Sequence, residues 1–121
     1  MCLHFFRDGP ESLRNKVLEI VERAEKGEEI EIVEGPDDVC ISCPFFKDGV
    51  CKYTDEAEEE IREMDRKALE LLNLRPGMKI HWKDLKDKLR TEKSIVRTWV
   101  ETYCSTCDFR EGCEKEYSKY L

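Results

Sequence analysis

Six of the seven cysteines in this chain fall into two matched triplets, and no other feature constrains the fold as much. "CISCPFFKDGVC", residues 40–51, and "CSTCDFREGC", residues 104–113, both read Cys, any residue, Ser or Thr, Cys, any residue, Phe. In each, a basic residue, an acidic residue and Gly then lead to a third Cys, so Cys40, Cys43 and Cys51 face Cys104, Cys107 and Cys113. A Cys-x2-Cys pair on a tight turn brings two sulfurs within reach of one tetrahedral metal or cluster, and two such pairs point strongly to metal–thiolate binding. Gly49 and Gly112 suit loops that bend back to return the third sulfur. Phe45, Phe46 and Phe109 are placed to keep water from the centre.

Two other readings compete. Cysteine is often an interior residue with no chemical role, but chance rarely arranges six of them in matched triplets. Disulfides would pair six and leave one thiol over. They are rare inside cells except in hyperthermophiles. The chain has no Gln and only two Asn among many Glu and Lys, a bias found in proteins adapted to heat, so a disulfide-stabilised thermophilic domain stays open.

All-thiolate sites suit zinc or iron–sulfur clusters. One 4Fe-4S cluster drawn from both loops, one site per loop, and a zinc knuckle of Cys40, Cys43, Cys104 and Cys107 all fit the spacing. Binuclear zinc clusters also share six cysteines, but there the halves lie close in sequence and a basic recognition helix accompanies them. Cys2, His4 and His81 are the other available ligands. Cys2 and His4 lie together near the start, where a chain is commonly frayed, and Cys2 is the stronger of the two. His81, between Ile80 and Trp82, is expected to be an ordinary packed or surface histidine.

At 121 residues the chain fits a single domain spanning 1–121. Residues 11–26 set Leu13, Val17, Ile20, Val21 and Ala24 on one stripe, predicting an amphipathic helix that Gly27 ends. "EEIEIVEG" alternates like a half-buried strand, and "MKIHW" is its predicted partner. Ala57, Ile61, Met64, Ala68, Leu71 and Leu72 predict a second helix, with Thr54 as its cap and Arg75-Pro76-Gly77 beyond its end. "KDLKDKL" predicts a short helix through Leu85 and Leu89. "TEKSIVRTWVETY" predicts another, with Ile95, Val96, Trp99, Val100 and Tyr103 inward, and "EKEYSKYL" a last turn or two. The expected fold is α+β, mainly helical: a single small domain with a short two-stranded β element and two cysteine-rich metal-binding loops.

The net charge of −7 argues against non-specific nucleic-acid binding, which depends on neutralising phosphates. Residues 75–100 run the other way, with eight Lys/Arg against three Asp/Glu, and form either a solvated face or a contact for an acidic protein partner. No run reaches the length of a membrane span and the start lacks the pattern of a secretory signal, so a cytoplasmic protein is the expectation. No carboxylate pair, phosphate-binding Gly loop or Ser-His-Asp spacing marks catalysis.

Several motifs together resemble one family: "EEIEIVEGPDDVCISCP", the Gly49-Val50-Cys51 that follows, the helix "MDRKALELLNL", the later Trp with its short helix, and the final Cys-x2-Cys…Cys. This is a group of small, uncharacterised bacterial and archaeal proteins associated with iron–sulfur binding. The resemblance implies cluster ligation by Cys40, Cys43, Cys51, Cys104, Cys107 and Cys113, and supplies no reaction. Members often open with a His-rich segment running into Cys-Leu; here Cys2-Leu3 matches and the His pair is absent. The leading expectation is an iron–sulfur protein serving electron transfer or redox sensing with a protein redox partner. The alternative is a zinc-stabilised interaction module without redox chemistry.

Overall fold

The apolar stripe of residues 11–26 forms helix α1 (Glu11–Glu25) in a computed structural model that describes residues 1–7 and 9–121. Val17 and Ala24 are buried, and Leu13, Ile20 and Val21 half-buried. Gly27, at φ +99°, turns the chain out of the helix in a conformation that a side chain would oppose. Strand β1 (Glu29–Glu31) follows and pairs antiparallel with a later strand at Lys79–His81, Ile30 facing Ile80. The predicted two-stranded element is therefore present.

The first cysteine segment contains a one-turn helix α2 (Asp38–Ile41) and two short strands, β2 (Phe46–Lys47) and β3 (Val50–Cys51). Helix α3 (Ala57–Leu72) buries Ala57, Ala68 and Leu72. Thr54 does not cap it through its side chain. Glu56 is the N-cap residue, and the Thr54 carbonyl only accepts a bond from Ala57 N at 3.3 Å. Glu58, Glu59 and Glu60 in the first turn meet the positive end of the helix instead. At the other end Asn73 takes the left-handed conformation, and Lys88 Nζ donates to the Leu72 carbonyl at 2.6 Å.

Trp82, expected in a strand after His81, is the first residue of helix α4 (Trp82–Thr91), which follows strand β4 (Lys79–His81) directly. Trp82, Leu85 and Leu89 are buried on one face at helical spacing. Trp82 Nε1 and Lys86 Nζ both donate to Glu25 Oε1 at 3.1 Å, clasping the end of α1 to α4. Helix α5 (Lys93–Trp99) runs on through a π-helical turn, Val100–Cys104. Helix α6 (Arg110–Tyr117) ends in a 3-10 turn, Ser118–Tyr120.

One core joins α3, α4, α5 and α6 to the chain start: Phe5, Ala68, Leu72, Leu89, Ile95, Val96, Trp99, Tyr117 and Tyr120. The chain is thus a single small, mainly helical domain with a minor antiparallel sheet. No described helix is long and apolar enough to cross a membrane. The chain start is not frayed. A 3-10 turn, Cys2–His4, leads to Phe5, which is 2% exposed and meets Tyr120 and Tyr117 edge to face at 5.5 and 6.3 Å. His4 lies stacked on Trp82, the rings 4.0 Å apart.

Two predictions follow from this packing. Phe5→Ala leaves a core cavity and is expected to cost about 3 kcal/mol in chemical denaturation, whereas a frayed start would make it nearly neutral. His4 is held by burial at a pKa of about 3, against 6.5 ordinarily. As pH falls below 6.5 the unfolded chain takes up this proton first, so folding stability declines by about 1.4 kcal/mol per pH unit. The decline ends near pH 3, where the folded ring is protonated too. His4→Phe, keeping a ring against Trp82, is expected to flatten stability between pH 6.5 and about 5, above the main carboxylate range. Equal slopes in the two proteins would refute this.

Candidate metal centre

Each Cys-x2-Cys pair folds by the same local device. Cys43 N donates to the Cys40 carbonyl at 3.0 Å, and Phe46 N to the Cys43 carbonyl at 3.1 Å. Cys107 N donates to the Cys104 carbonyl at 3.2 Å, and Arg110 N to the Cys107 carbonyl at 3.2 Å. Two successive three-residue turns thus carry the first two cysteines of each triplet. In the first triplet the Asp37 carboxylate anchors the entry, accepting from Val39 N at 3.0 Å and Cys40 N at 3.2 Å.

The third cysteines are delivered differently, and neither segment is the open loop expected. Asp48 and Gly49, at φ +54° and +77°, make a two-residue hairpin turn of the kind that matches strand twist. Cys51 then pairs opposite Phe46. Its N–H donates to Glu58 Oε2 at 2.7 Å, while Glu58 Oε1 accepts from Arg62 at 3.0 Å. In the second triplet Gly112 and Cys113 sit inside α6. Gly112 has an ordinary helical backbone, so the bend expected there does not occur.

Tertiary packing groups the sulfurs unequally. Cys104 is pushed up to about 12, first by burial and then by the nearby thiols of Cys2, Cys107 and Cys113. Cys2, from the first turn of the chain, therefore lies within electrostatic reach of Cys104 and Cys107. Solvent reaches Cys2 as a residue, yet protein packed round its sulfur raises the thiol. The Met1 amino group and the Trp99 indole oppose this, and Cys107 and Asp65 add to it. The buried Trp99 N–H lies near enough to the Cys2 sulfur to favour its thiolate, and among the described residues no atom is placed for a well-formed hydrogen bond to it. In the first triplet burial pushes Cys40 up to about 11, with Asp37 and Cys43 among its neighbours.

Tyr53 joins the two groups. Its hydroxyl donates to Asp108, the residue after Cys107. Its ring meets Phe45 at 4.9 Å and Phe109 at 6.0 Å, and Phe109 meets Phe6 at 5.5 Å. Phe45, Phe46 and Phe109 are all half-buried. None of the seven cysteines is in a disulfide. Among the described residues no three His, Cys, Asp or Glu side chains converge closely enough to hold a metal ion. The sulfurs are grouped by the fold without being drawn onto one point.

The histidines stand apart in character. His81 is exposed opposite Glu29, its Nε2 3.9 Å from that carboxylate. His4 is buried with Nδ1 3.3 Å from the Met1 carbonyl. A carbonyl only accepts, so Nδ1 carries the proton and Nε2 is a lone-pair nitrogen, here without a partner. Sequence reasoning missed Tyr53, Trp99 and Glu58 as residues of this region. Tyr53 and Glu58 follow Cys51 closely in the chain, but the Tyr53–Asp108 contact spans 55 positions, and no local pattern reports such a pairing.

Fold and site together define a small helical domain carrying two cysteine turns of one design. The family model described as "Protein of unknown function (DUF1284)" matches residues 11–113, which include both triplets, and the chain belongs to that family. No curated protein matches the chain, nor does any solved structure.

Asp37→Ala removes the acceptor that anchors the first cysteine turn and is expected to cost about 1 kcal/mol in urea denaturation, with Asp37→Asn near wild type. Equal losses in the two variants would show that the carboxylate acts through its charge instead.

Proposed function

We propose that this chain binds an iron–sulfur cluster of the 4Fe-4S type through the thiolates of Cys2, Cys104, Cys107 and Cys113, and serves one-electron transfer or redox sensing. The observation that carries this reading is the placement of Cys2, from the start of the chain, beside the second triplet. Four cysteine thiols are soft donors that suit a cluster, with the Asp65 carboxylate near Cys2 as the hard donor beside them. Thiolates this close repel one another, and a bound cationic centre relieves that repulsion. The grouped sulfurs need side-chain rotation to converge, so ligand binding and local ordering are coupled.

When bound, the cluster supplies reversible one-electron exchange; the surrounding residues tune it. The Trp99 N–H stands near the Cys2 sulfur, where it favours the thiolate. Phe6 and Phe109 limit water, which bears on stability and potential. Cys40, Cys43 and Cys51 are the three thiols of the other triplet, and the metal count reports whether they bind metal as well. A protein redox partner would meet the charged surface, with the basic 75–100 segment suited to an acidic face.

Protein purified without oxygen is expected to be brown, with a broad charge-transfer absorption and about four iron and four sulfide per chain. Cys104→Ser is expected to abolish colour and iron, and Cys40→Ser to retain the 4Fe-4S signature. Colourless protein that holds zinc and unfolds on chelation would establish the interaction module instead. Iron retained in Cys104→Ser would overturn the ligand set.

A further inference from the structure

A broad concavity lies between α1 and the cysteine region, with Cys2 on its edge. It has a volume of about 800 Å³, within the range of small-molecule sites. Its floor is apolar, built from core residues such as Leu72 and Leu85, and both tryptophans of the chain, Trp82 and Trp99, line it. At its mouth three large apolar side chains meet solvent: Ile41 at 75%, Val33 at 44% and Ile61 at 37% exposed. Isolated exposed apolar residues need no explanation, but three at the mouth of one cavity mark a binding surface.

The rim gives the occupant its charge. Glu28, Glu29, Glu31, Asp37, Asp38 and Asp65 border the cavity, against Arg23 and the chain start at Met1. Arg23 is already held by Glu28 at 2.6 Å. Asp65 reaches furthest in: it is half-buried and accepts from Gly35 N at 2.9 Å. Asp37 and Glu34 lie near enough to crowd its charge, and the Met1 amino group partly offsets them.

We propose that this cavity binds a small organic cation with an apolar body, an amine whose ammonium group pairs with Asp65 and Asp37 while its hydrocarbon portion lies against Val33, Ile41 and Ile61. An anion of the same shape meets the acidic rim and is excluded. A neutral analogue gains the apolar contact without the ion pair. Cys2 and Cys40 also line the cavity, so an occupant touches both cysteine groups.

The test uses the whole chain, with and without bound metal, and three probes of one shape: 3-phenylpropylamine, 3-phenylpropanol and 3-phenylpropanoate. Tryptophan fluorescence reports binding, since both tryptophans line the site. The amine is expected to give saturable quenching about tenfold tighter than the alcohol, with the carboxylate weakest. High salt narrows the gap. Asp65→Asn with Asp37→Asn keeps the hydrogen-bond acceptors and is expected to bring amine and alcohol to within about twofold while thermal unfolding stays near wild type. If that pair fails to fold, Asp38→Asn at the exposed rim is expected to reduce the preference partially. Alcohol binding as tight as amine, no saturation by any probe, or a preference unchanged in folded variants would each overturn the proposal. None of these outcomes alters the iron and sulfide count, so this site and the cluster stand or fall separately.

Discussion

The position of Cys2 depends on Phe5. At 2% exposure it lies in the same core as Trp99, Tyr117 and Tyr120, and its edge-to-face contacts with Tyr117 and Tyr120 tie the start of the chain to its end. Burying one such ring stabilises by about 2–3 kcal/mol, with about 0.5–1.5 kcal/mol more for each well-placed aromatic pair. That offsets a large part of the entropy of ordering the first five residues, about 1–2 kcal/mol each. The consequence is positional: once Phe5 is docked, Cys2 three residues earlier is held beside Trp99 and the second cysteine triplet, and His4 is pressed onto Trp82.

The two triplets show how one local motif serves two tertiary settings. Both begin with the same pair of hydrogen-bonded turns, because a Cys-x2-Cys segment closing N–H to C=O three residues back is favourable wherever it occurs. They part at the next residues. Asp48 and Gly49 accept positive φ, so the first triplet turns back as a hairpin and presents Cys51 to Glu58. Arg110 and Glu111 lead into "CEKEY", whose helical continuation is kept by Tyr117 reaching the core, so Gly112 is never asked to bend. Tyr53 then closes the gap between the triplets through Asp108 and the rings of Phe45 and Phe109.

Charge follows the same division. The basic segment 75–100 largely belongs to α4 and α5, whose apolar faces are buried and whose cations project outward or clasp neighbours, as Lys86 does Glu25 and Lys88 the end of α3. Glu28, Glu29, Glu31, Asp37 and Asp38 instead border the cavity with Asp65. An exposed ion pair in either region is worth little by itself. A half-buried carboxylate beside an apolar opening is a different matter, since solvent there no longer screens it fully.

Sequence alone determined what repeats at short range. The stripe Val17–Ala24, the spacing Trp82–Leu85–Leu89, the run Ala57–Leu72 and the facing strands around Ile30 and Ile80 are legible because helices and strands impose periods of 3.6 and 2 on side chains that must be buried. The matched triplets were legible for the same reason: their turns close within three residues. Thr54 as a cap and Gly112 as a bend were misread because each is decided by where the neighbouring helix is anchored, at Glu58 in one case and Tyr117 in the other. Only tertiary structure decided that Cys2 joins the second triplet, that Tyr53 reaches Asp108, and that the acids of residues 28–38 share a rim with Asp65. Those pairings are selected by how apolar faces pack, and packing is a property of the assembled core that no short stretch of the chain contains.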